Sequence, residues 1–526
     1  MEKAIHPALQ RRLQRLADDQ RAAATCPPGP VLCVAPAGSG KTTTVVARLA
    51  WRVDRGADPA TVCALTFNRR AADELQDRAD AALGELGHTA GAVRVRTFHA
   101  LGREILADAG RDVSRIVERE QVLAGLAGGA LRPAVSRQLD DAFTRLKLDP
   151  ERAALVDEAW VQEAFTLYQG HLVERRAMDL DDLVALTVPT LSADPSLLAR
   201  WQARAAVLFI DEAQDLDRTQ LELALLLAGD RRDIFLVGDD DQTIYAWRLA
   251  DVRRVLGLAS RLPGLRRVDL ETNHRCAPEV VHRAARLVAH NSERFDKHIR
   301  ASVRTAGSVT LLPDPGDEVA RARLLLTTWA GDHAGESHAV LARTNRELWP
   351  LAAVALELGV AYQAATDGLL LDDERIWAAL DRVSEVMPLL PALAAAATAG
   401  GLPSELAGSL LAWAAPFDDL ASLRAAMLER RTARQQRTDD PSLTLATIHG
   451  TKGLEWAHVA CIGHDEGTFP SGRALREAAD PVRVMEEERR LAYVAWTRAV
   501  RTLTIVYDPG APSTFVLEAF GDDELA

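Results

Sequence analysis

Two short segments of the chain carry side chains whose types and spacing suit phosphate chemistry. The first is Ala-Pro-Ala-Gly-Ser-Gly-Lys-Thr at residues 35–42. Its glycines, Gly38 and Gly40, let backbone N–H groups turn toward phosphate oxygens at the start of a helix. Lys41 can then reach the β and γ phosphates, and Thr42 can ligate Mg²⁺. This segment predicts a nucleoside triphosphate site.

Composition and context favour this interpretation of Lys41 over an ordinary glycine-rich turn. The chain has only five lysines among its 62 lysines and arginines. A lysine kept in so arginine-rich a chain indicates a position that needs a compact ammonium group. The apolar run at residues 31–34 predicts a buried strand before the loop, and residues 43–53 have helical periodicity after it. One departure from the common phosphate-loop pattern is Ala35, where glycine is usual.

The second segment places two carboxylates after another apolar run, residues 207–210. Asp211 is expected to hold the Mg²⁺ shell, and Glu212 to orient and deprotonate the attacking water. An Asp-Glu pair at a strand end can also be a solvated helix cap, but its occurrence together with the Lys41 loop favours catalysis. A third segment, Gly-Asp-Asp-Asp-Gln-Thr-Ile-Tyr-Ala-Trp-Arg at residues 238–248, follows a further strand. There Gln242 could sense the γ-phosphate while the aromatic residues face away from it.

Length and composition bound the class of protein. A chain of 526 residues predicts three or four domains. Its 48% hydrophobic and 26% charged residues are typical of a soluble globular protein, and no apolar run approaches a membrane span. The five cysteines are scattered without a Cys-x-x-Cys pair, which argues against disulfides and zinc and favours the cytoplasm. The net charge of −13 disfavours a broad nucleic-acid surface, although a narrow channel can still bind a single strand.

Short apolar runs recur in two series that alternate with helical patterns. The first series is 31–34, 62–66, 93–97, 207–210 and 234–237, and the second is 309–312, 339–342, 443–447, 458–462 and 503–507. Such alternation predicts α/β domains with parallel sheets and helices on both faces. Blocks at 100–205 and 383–440 lack strand-like alternation and are interpreted as helical insertions, the second with a polar tail at 429–440.

These motifs resemble the UvrD/Rep/PcrA family of superfamily 1 DNA helicases, and the resemblance extends over nearly the whole chain. It rests on the segments already quoted and on residues 66–72, 97–99, 273–275, 447–455 and 487–499. The resemblance implies two RecA-like P-loop NTPase domains with helical insertions. It assigns 1–99 and 206–268 to motor domain 1A, 100–205 to insertion 1B, 269–382 and 441–526 to motor domain 2A, and 383–440 to a shortened 2B insertion.

The resemblance also implies roles around ATP. Gln20 looks like the adenine-reading glutamine, Glu455 like the ribose acceptor, and Arg275 and Arg498 like arginine fingers that act when the two motor domains close. For Arg498, an ion pair with Glu487 or Glu488 is the alternative. The expected ATP-contacting set is Gln20, Ala37, Gly38, Ser39, Gly40, Lys41, Thr42, Thr43, His274, Arg275, Glu455 and Arg498. His274 stands where a tyrosine is usual and Thr43 where an arginine is usual, so binding of the base is expected to differ from that of the family. Trp496 stands where a small residue is usual.

For nucleic acid, Phe67, Tyr245 and Trp247 are expected to stack on bases without reading sequence. The polar residues expected along the same single strand are Arg69, Thr97, His99, Arg248 and His449. Together these features predict an ATP- and Mg²⁺-dependent DNA helicase that moves 3′ to 5′ on single-stranded or tailed duplex DNA in repair or replication. The alternative is a translocase or protein-stripping motor subunit of a repair or phage-defence complex, with a nuclease or repair protein as partner and weak unwinding alone. No membrane partner is expected.

Overall fold

The structure is a computed structural model of the whole chain. It describes residues 4–129, 131–149, 156, 158–302, 306–329, 331, 335–364, 369–384, 386–436, 443–521 and 524–525. The chain divides into two compact units. Unit 1 comprises residues 1–272 and 293–298, and unit 2 comprises 273–292 and 299–526.

Unit 1 is built on a six-stranded parallel sheet in the order β3-β2-β4-β5-β1-β6. Its strands are β1 Val31–Val34, β2 Val62–Thr66, β3 Arg94–Thr97, β4 Val207–Ile210, β5 Ile234–Gly238 and β6 Arg266–Asp269. Alternate residues of β1 enter two different cores: Val31 and Cys33 join one cluster, and Leu32 and Val34 join the other. Both faces of the sheet are therefore covered, which explains the continuous apolar runs.

Helices cover both faces of this sheet. They are α1 Pro7–Gln14, α2 Asp18–Thr25, α3 Lys41–Asp54, α4 Arg69–Gly84, α5 Phe98–Asp108, and, after the insertion, α12 Arg218–Ala228, α13 Val252–Leu256 and α14 Leu258–Arg261. The insertion between β3 and β4 contains α6 Arg119–Leu126, α7 Pro133–Leu148, α8 Ala159–Glu174, α9 Asp182–Ala185, α10 Thr187–Ala193 and α11 Pro195–Arg204. It has a small core of its own around Phe143 and Tyr168. No strand interrupts the described part of this block, as its sequence predicts.

Unit 2 has a second six-stranded parallel sheet, in the order β11-β12-β10-β13-β14-β9. Two short strands outside it are β7 Thr272–Asn273 and β8 Arg300–Ala301. The sheet strands are β9 Ser308–Pro313, β10 His338–Ala342, β11 Tyr362–Ala364, β12 Leu443–Thr447, β13 Trp456–Cys461 and β14 Ala499–Tyr507. The predicted α/β class with parallel sheets is thus confirmed in both units.

The helices of unit 2 are α15 Pro278–Val288, α16 Glu318–Arg323, α17 Asn345–Leu358, α18 Glu374–Leu380, α19 Leu389–Ala399, α20 Ser404–Ala414, α21 Leu420–Gln436, α22 Gly472–Glu477, α23 Pro481–Trp496 and α24 Thr514–Ala519. Three of them, α19 to α21, lie in the block predicted at 383–440, which α18 precedes. Residues 437–440 of the expected polar tail lie outside the described residues. Among the described helices, none combines the length and the apolar character that crossing a bilayer requires.

Candidate nucleotide site and nucleic-acid interface

The glycine-rich loop joins β1 to α3 and has the conformation of a phosphate cradle. Gly38 and Gly40 have φ angles of 69° and 78°, and α3 begins directly after Gly40. Glycine occupies this left-handed region without the strain that a Cβ introduces. At the start of the loop, the Ala35 N–H donates to the Gly238 carbonyl over 2.8 Å, which continues the β1–β5 pairing. The Oγ of Ser39 is buried and has no partner in the structure. Such a buried hydroxyl fits a loop built to meet a ligand's oxygens.

Gln20 lies against this loop. Its Nε2 donates to the Ser39 carbonyl over 2.8 Å, and its Oε1 accepts from the Ala17 N–H over 3.1 Å. A Cβ placed on Gly40 would approach the Nε2 to 2.5 Å. The glutamine expected to read adenine therefore also braces the phosphate loop, and Gly40 is needed for close approach as well as for its φ angle.

Lys41 and Glu212 face each other across the carboxyl end of the sheet. The Lys41 Nζ lies 3.4 Å from Glu212 Oε2, and the same oxygen accepts from Gln214 Nε2 over 2.6 Å. Glu212 has a φ of 52°, a left-handed conformation that is costly for a residue with a Cβ. Strain of this kind is stored at functional sites when the surroundings hold it in place. The carboxylate is thus fixed beside the loop where an attacking water would lie.

Asp211 and Thr42 are the residues expected to hold Mg²⁺. Asp211 is 8% exposed, and its N–H donates to the Leu65 carbonyl over 2.8 Å, so it continues the β2–β4 pairing. Thr42, the second residue of α3, is half-buried. A hydroxyl and a carboxylate are oxygen donors of the kind Mg²⁺ prefers when substrate phosphates and waters complete its shell. The donor set fits the ion, and no cluster of three or more His, Cys, Asp or Glu among the described residues offers another metal site.

Gln242 is linked to Glu212 by a chain of hydrogen bonds. The Asp239 N–H donates to Gln214 Oε1 over 3.1 Å, and Gln242 Nε2 donates to Asp239 Oδ2 over 2.6 Å. Because Gln214 also holds Glu212, one network contains Lys41, Glu212 and Gln242. A Cβ on Gly238 would lie 2.5 Å from Gln214 Oε1, so a glycine is required where β5 ends. Three of the predicted catalytic residues are thereby brought together in unit 1.

The three aromatic residues expected to stack on bases also form one group in unit 1. The Phe67 and Tyr245 rings are stacked, with centroids 5.2 Å apart and planes 9° from parallel. Trp247 lies edge-on to Tyr245 at 6.1 Å, and Arg248 covers the Trp247 ring at 4.7 Å. Trp247 is 58% exposed, so its ring is accessible to a partner. The group provides π-faces and one cation.

A cavity of about 450 Å³ opens beside this group between the sheet edge and the helical insertion. Its lining includes Phe67, His99, Trp247 and Arg248, together with Arg119. Seven carboxylate residues also line it: Glu118, Asp140, Asp141, Asp179, Asp181, Asp215 and Asp217. Arg119 pairs with three of them, Asp140, Asp179 and Asp181. Because carboxylates still outnumber cations in this wall, a strand here is expected to meet the aromatic rim with its bases.

The polar residues of the expected DNA track differ in what they can contribute. Arg69 is an exposed cation 3.8 Å from Asp73, whereas Thr97 caps α5 by accepting the Ala100 N–H over 3.1 Å. Burial is the main cause that lowers the pKa of His99, and it lowers the pKa of His449 to about 4. Both histidines are therefore neutral at pH 7 and can offer phosphates hydrogen bonds but no charge.

Unit 2 groups three of the remaining ATP-site residues. The Arg275 guanidinium forms an ion pair with Glu455 and donates to the Thr497 carbonyl over 3.3 Å. Arg498 is 2% exposed and donates to the Val494 and Leu454 carbonyls over 2.9 and 3.1 Å. Arg498 is therefore buried rather than on the surface, where the alternative of an ion pair with Glu487 or Glu488 would place it. His274, by contrast, is exposed.

Trp496, which the sequence marks as a departure, has a specific buried environment. Its indole N–H donates to His464 Nε2 over 3.1 Å, and both side chains are fully buried. Burial lowers the pKa of His464 to about 3, so the ring is neutral and can accept this bond. A large residue is accommodated here because its one polar atom has a partner.

Two groups of residues near the site were missed by the sequence analysis. Gln214 follows the Asp211-Glu212 pair in sequence, and its role, which is to connect Glu212 to Asp239, is visible only in the structure. Lys297 and Arg294 were not considered, although both bind the aspartates that precede Gln242. The rarity of lysine in the chain was a usable signal for Lys297.

Comparison with known proteins identifies the family. A family model described as the UvrD/REP helicase N-terminal domain matches residues 16–263, and one described as the UvrD-like helicase C-terminal domain matches residues 416–509. The chain is 30% identical to ATP-dependent DNA helicase UvrD2 of Mycobacterium tuberculosis H37Rv, over 92% of this chain and 77% of that protein. It is 26% identical to DNA helicase II of Escherichia coli K12, over 94% and 84% of the two chains. The sites described above therefore lie in a chain that belongs to the UvrD-like family of ATP-dependent DNA helicases.

Proposed function

We propose that this helicase moves 3′ to 5′ along single-stranded DNA and separates the strands of tailed duplexes in DNA repair or replication. The observation that carries the proposal is the network from Lys41 through Glu212 to Gln242. That network ends three residues before Tyr245 and five before Trp247, so a change at the γ-phosphate can be transmitted to the aromatic group over a few residues. The direction of movement rests on family resemblance.

In this mechanism, the loop from Ala37 to Thr43 cradles the phosphates and Lys41 neutralises the β and γ groups. Glu212 orients the attacking water and accepts its proton, and Gln242 senses the γ-phosphate. Thr42 and Asp211 hold Mg²⁺, which supplies charge stabilisation when bound. Gln20 and His274 hold the base, and Glu455 the ribose. Arg275 and Arg498 stabilise charge on the transferring phosphoryl group, each after leaving the partners that hold it here.

On the DNA side, bases stack on Phe67, Tyr245 and Trp247 and contribute about 1 to 3 kcal/mol each without sequence preference. Arg69 and Arg248 supply the charge, while Thr97, His99 and His449 supply neutral hydrogen bonds. All five cysteines are free thiols, which supports a reducing cytoplasm as the place of action.

The test is steady-state ATP hydrolysis with Mg²⁺, with and without single-stranded DNA. Lys41→Ala and Glu212→Gln are expected to abolish turnover, the second with ATP binding retained. The matched control is Glu222→Gln, which removes a surface carboxylate paired with Arg261 and should leave turnover unchanged. Normal turnover in Glu212→Gln would exclude Glu212 as the residue that activates the attacking water.

A second test addresses the arginine fingers. Arg498→Ala should lower hydrolysis by orders of magnitude with little change in nucleotide affinity. Arg501→Ala is the control, because Arg501 is half-exposed and pairs with Glu336. Equal turnover in both variants would exclude the finger role.

Unwinding of duplexes with 3′ or 5′ tails tests direction and distinguishes a second candidate function. That candidate is a translocase or protein-stripping motor that depends on a nuclease or repair protein. It is favoured by the small size of the block at 383–440, where three helices are described. DNA-stimulated hydrolysis without unwinding would support it, and unwinding from 3′ tails alone would support the first function.

A further inference from the structure

Three consecutive aspartates follow β5, and the side chains of all three are completely buried. Asp239, Asp240 and Asp241 each have 0% side-chain exposure. A carboxylate is buried only where charged or polar partners take the place of its hydrating water, since an unpaired buried charge is strongly unfavourable. The three residues immediately precede Gln242, so whatever satisfies them also determines the position of that residue.

Their partners lie on the short segment Glu293–His298, where the chain re-enters unit 1. This segment belongs to unit 1, although the residues on either side of it belong to unit 2. The Lys297 ammonium lies 2.8, 2.6 and 2.8 Å from oxygens of Asp239, Asp240 and Asp241. Its side chain is only 1% exposed. One cation therefore bonds three buried carboxylates at once.

The same segment supplies two further interactions. Arg294 donates to both carboxylate oxygens of Asp241, from Nε to Oδ1 over 3.0 Å and from Nη2 to Oδ2 over 2.8 Å. The Phe295 N–H donates to Asp240 Oδ2 over 2.8 Å. Burial alone would raise the pKa of Asp241, but Lys297 and Arg294 together hold that pKa below its ordinary value. Asp241 is thus held as an anion by a segment about 55 residues further along the chain, whereas burial raises the pKa of Asp240 above its ordinary value.

Asp239 connects this ion cluster to the predicted γ-phosphate sensor. One of its carboxylate oxygens, Oδ1, binds Lys297, and the other, Oδ2, accepts from Gln242 Nε2 over 2.6 Å. A carboxylate held at one oxygen presents the other in a fixed direction. Without Lys297, Asp239 Oδ1 would keep only the 3.2 Å bond that it accepts from the Asp241 N–H, so the acceptor that orients the Gln242 amide would be held less rigidly.

We propose that Lys297, supported by Arg294, is a positioning residue of the ATPase site that fixes Gln242 through Asp239. The inference rests on the role of Gln242 in the proposed function. It also explains why a lysine stands here in an arginine-rich chain: the compact ammonium meets three carboxylates in a site that leaves its side chain only 1% exposed, and a guanidinium is larger and planar. Positioning of this kind affects the chemical step more than nucleotide binding.

The first experiment replaces Lys297 by Met and measures kcat, KM and nucleotide affinity without DNA. We expect kcat to fall at least about tenfold while nucleotide affinity changes less than about threefold, because Gln242 acts on the γ-phosphate. Lys147→Met is the matched control. Lys147 is an equally buried lysine, 2.8 and 2.7 Å from Asp179 and Asp182 in the helical insertion, and its loss should reduce stability without changing kcat.

Two double variants separate positioning from a general loss of stability. Lys297→Met with Asp240→Asn restores the charge balance of the cluster, so stability should recover while kcat stays low. Lys297→Met with Gln242→Ala should have the kcat of Gln242→Ala alone, because both changes remove one function. The proposal would be overturned if kcat recovered together with stability in the variant with Asp240→Asn. It would also be overturned if the losses of kcat from Lys297→Met and Gln242→Ala multiplied in the double variant.

Lys297→Arg keeps the charge and provides a test if the Met variant does not fold. It should fold and still lose kcat, since the larger, planar guanidinium cannot occupy this 1% exposed site without displacing the three carboxylates; normal kcat would overturn the proposal. The wild-type chain and Glu212→Gln are assayed alongside. If the wild type does not hydrolyse ATP in a Glu212-dependent manner, the proposed function fails, whereas an active wild type with an unaffected Lys297 variant refutes only this inference.

Discussion

Gly40→Ala is expected to weaken nucleotide binding through two separable effects. The first is backbone strain, because the φ of 78° at this position costs alanine about 1 to 2 kcal/mol. The second is a collision of the new Cβ with Gln20 Nε2, which lies only 2.5 Å from where that Cβ must stand. Gln20 must move, and its 2.8 Å hydrogen bond to the Ser39 carbonyl is lost, at a net cost of about 1 kcal/mol.

The sum, about 2 to 3 kcal/mol, corresponds to roughly a 30- to 150-fold loss of affinity, provided that the loop must hold this conformation to bind phosphates. A fluorescent ATP analogue titrated into the protein measures it directly. Gly87→Ala is the control: that glycine has a φ of 89° and nothing within 4 Å of its Cβ position, so strain alone arises there and affinity should not change.

A double-mutant cycle isolates the collision. In a Gln20→Ala background the obstructing amide is absent, so Gly40→Ala should cost about 1 kcal/mol less there, close to a fivefold difference in affinity. An identical cost in both backgrounds would mean that Gln20 does not brace the loop. Unchanged affinity in Gly40→Ala itself would refute the assignment of this loop to phosphate binding.

Three further outcomes are expected from other parts of the molecule. His464 has a pKa of about 3 when folded and about 6.5 when unfolded. The unfolded state therefore binds more protons as pH falls below about 6.5, and lowering the pH to about 5 should cost about 2 kcal/mol of stability, a loss that His464→Gln should remove in urea unfolding. Gly102→Ala would place a Cβ 2.0 Å from the Leu183 carbonyl oxygen and should destabilise by about 1 to 3 kcal/mol. Gly125→Ala, in an open helical position, should instead raise the melting temperature. Because His449 is neutral at pH 7, His449→Gln should leave the salt dependence of single-strand binding unchanged, whereas Arg248→Gln should reduce its slope by about 0.7; a reduced slope in the histidine variant would mean that it is charged.

The fold was predictable where strands are buried on both faces. The strands β1, β2 and β4 cover the predicted residues because every side chain in them is buried, which produces an uninterrupted apolar run. The edge strand β6 was missed because its residues, Arg-Arg-Val-Asp, are exposed or half-exposed and carry no apolar pattern. The first residues of β14 were missed for a similar reason, since Arg501 there is exposed. Exposed strand residues, whether in an edge strand such as β6 or at the start of an interior strand such as β14, need not be apolar and so do not form the pattern that predicts a strand.

The candidate site was predictable to the extent that it is local in sequence. The phosphate loop and the Asp211-Glu212 pair each follow a strand directly. The strand, the turn and the functional residue can therefore all be recognised within one short stretch of sequence. The brace from Gln20 and the anchor from Lys297 join residues separated by about 20 and 55 positions. No local periodicity records such contacts, because the sheet order, not the chain order, brings them together.

Lysine usage gives a final link between composition and structure. Arg52 matches a single carboxylate, Asp233, through two bonds of 2.7 and 2.6 Å, whereas Arg119 pairs with three, Asp140, Asp179 and Asp181. Lys147 and Lys297 bind two and three carboxylates each, and their side chains are only 3% and 1% exposed. A small ammonium directs its three donors to separate acceptors in less space than a planar guanidinium needs.

Lys147→Arg tests this rule away from the nucleotide site. The larger group must be accommodated among Asp179 and Asp182 where the side chain is 3% exposed, so the change should cost about 1 to 3 kcal/mol in urea unfolding although charge is conserved. Arg323→Lys, at an exposed pair with Glu357, is the matched control and should be nearly neutral. If Lys147→Arg were equally neutral, the scarcity of lysine would carry no structural information, and the requirement for lysine at position 297 would rest on its three carboxylate contacts alone.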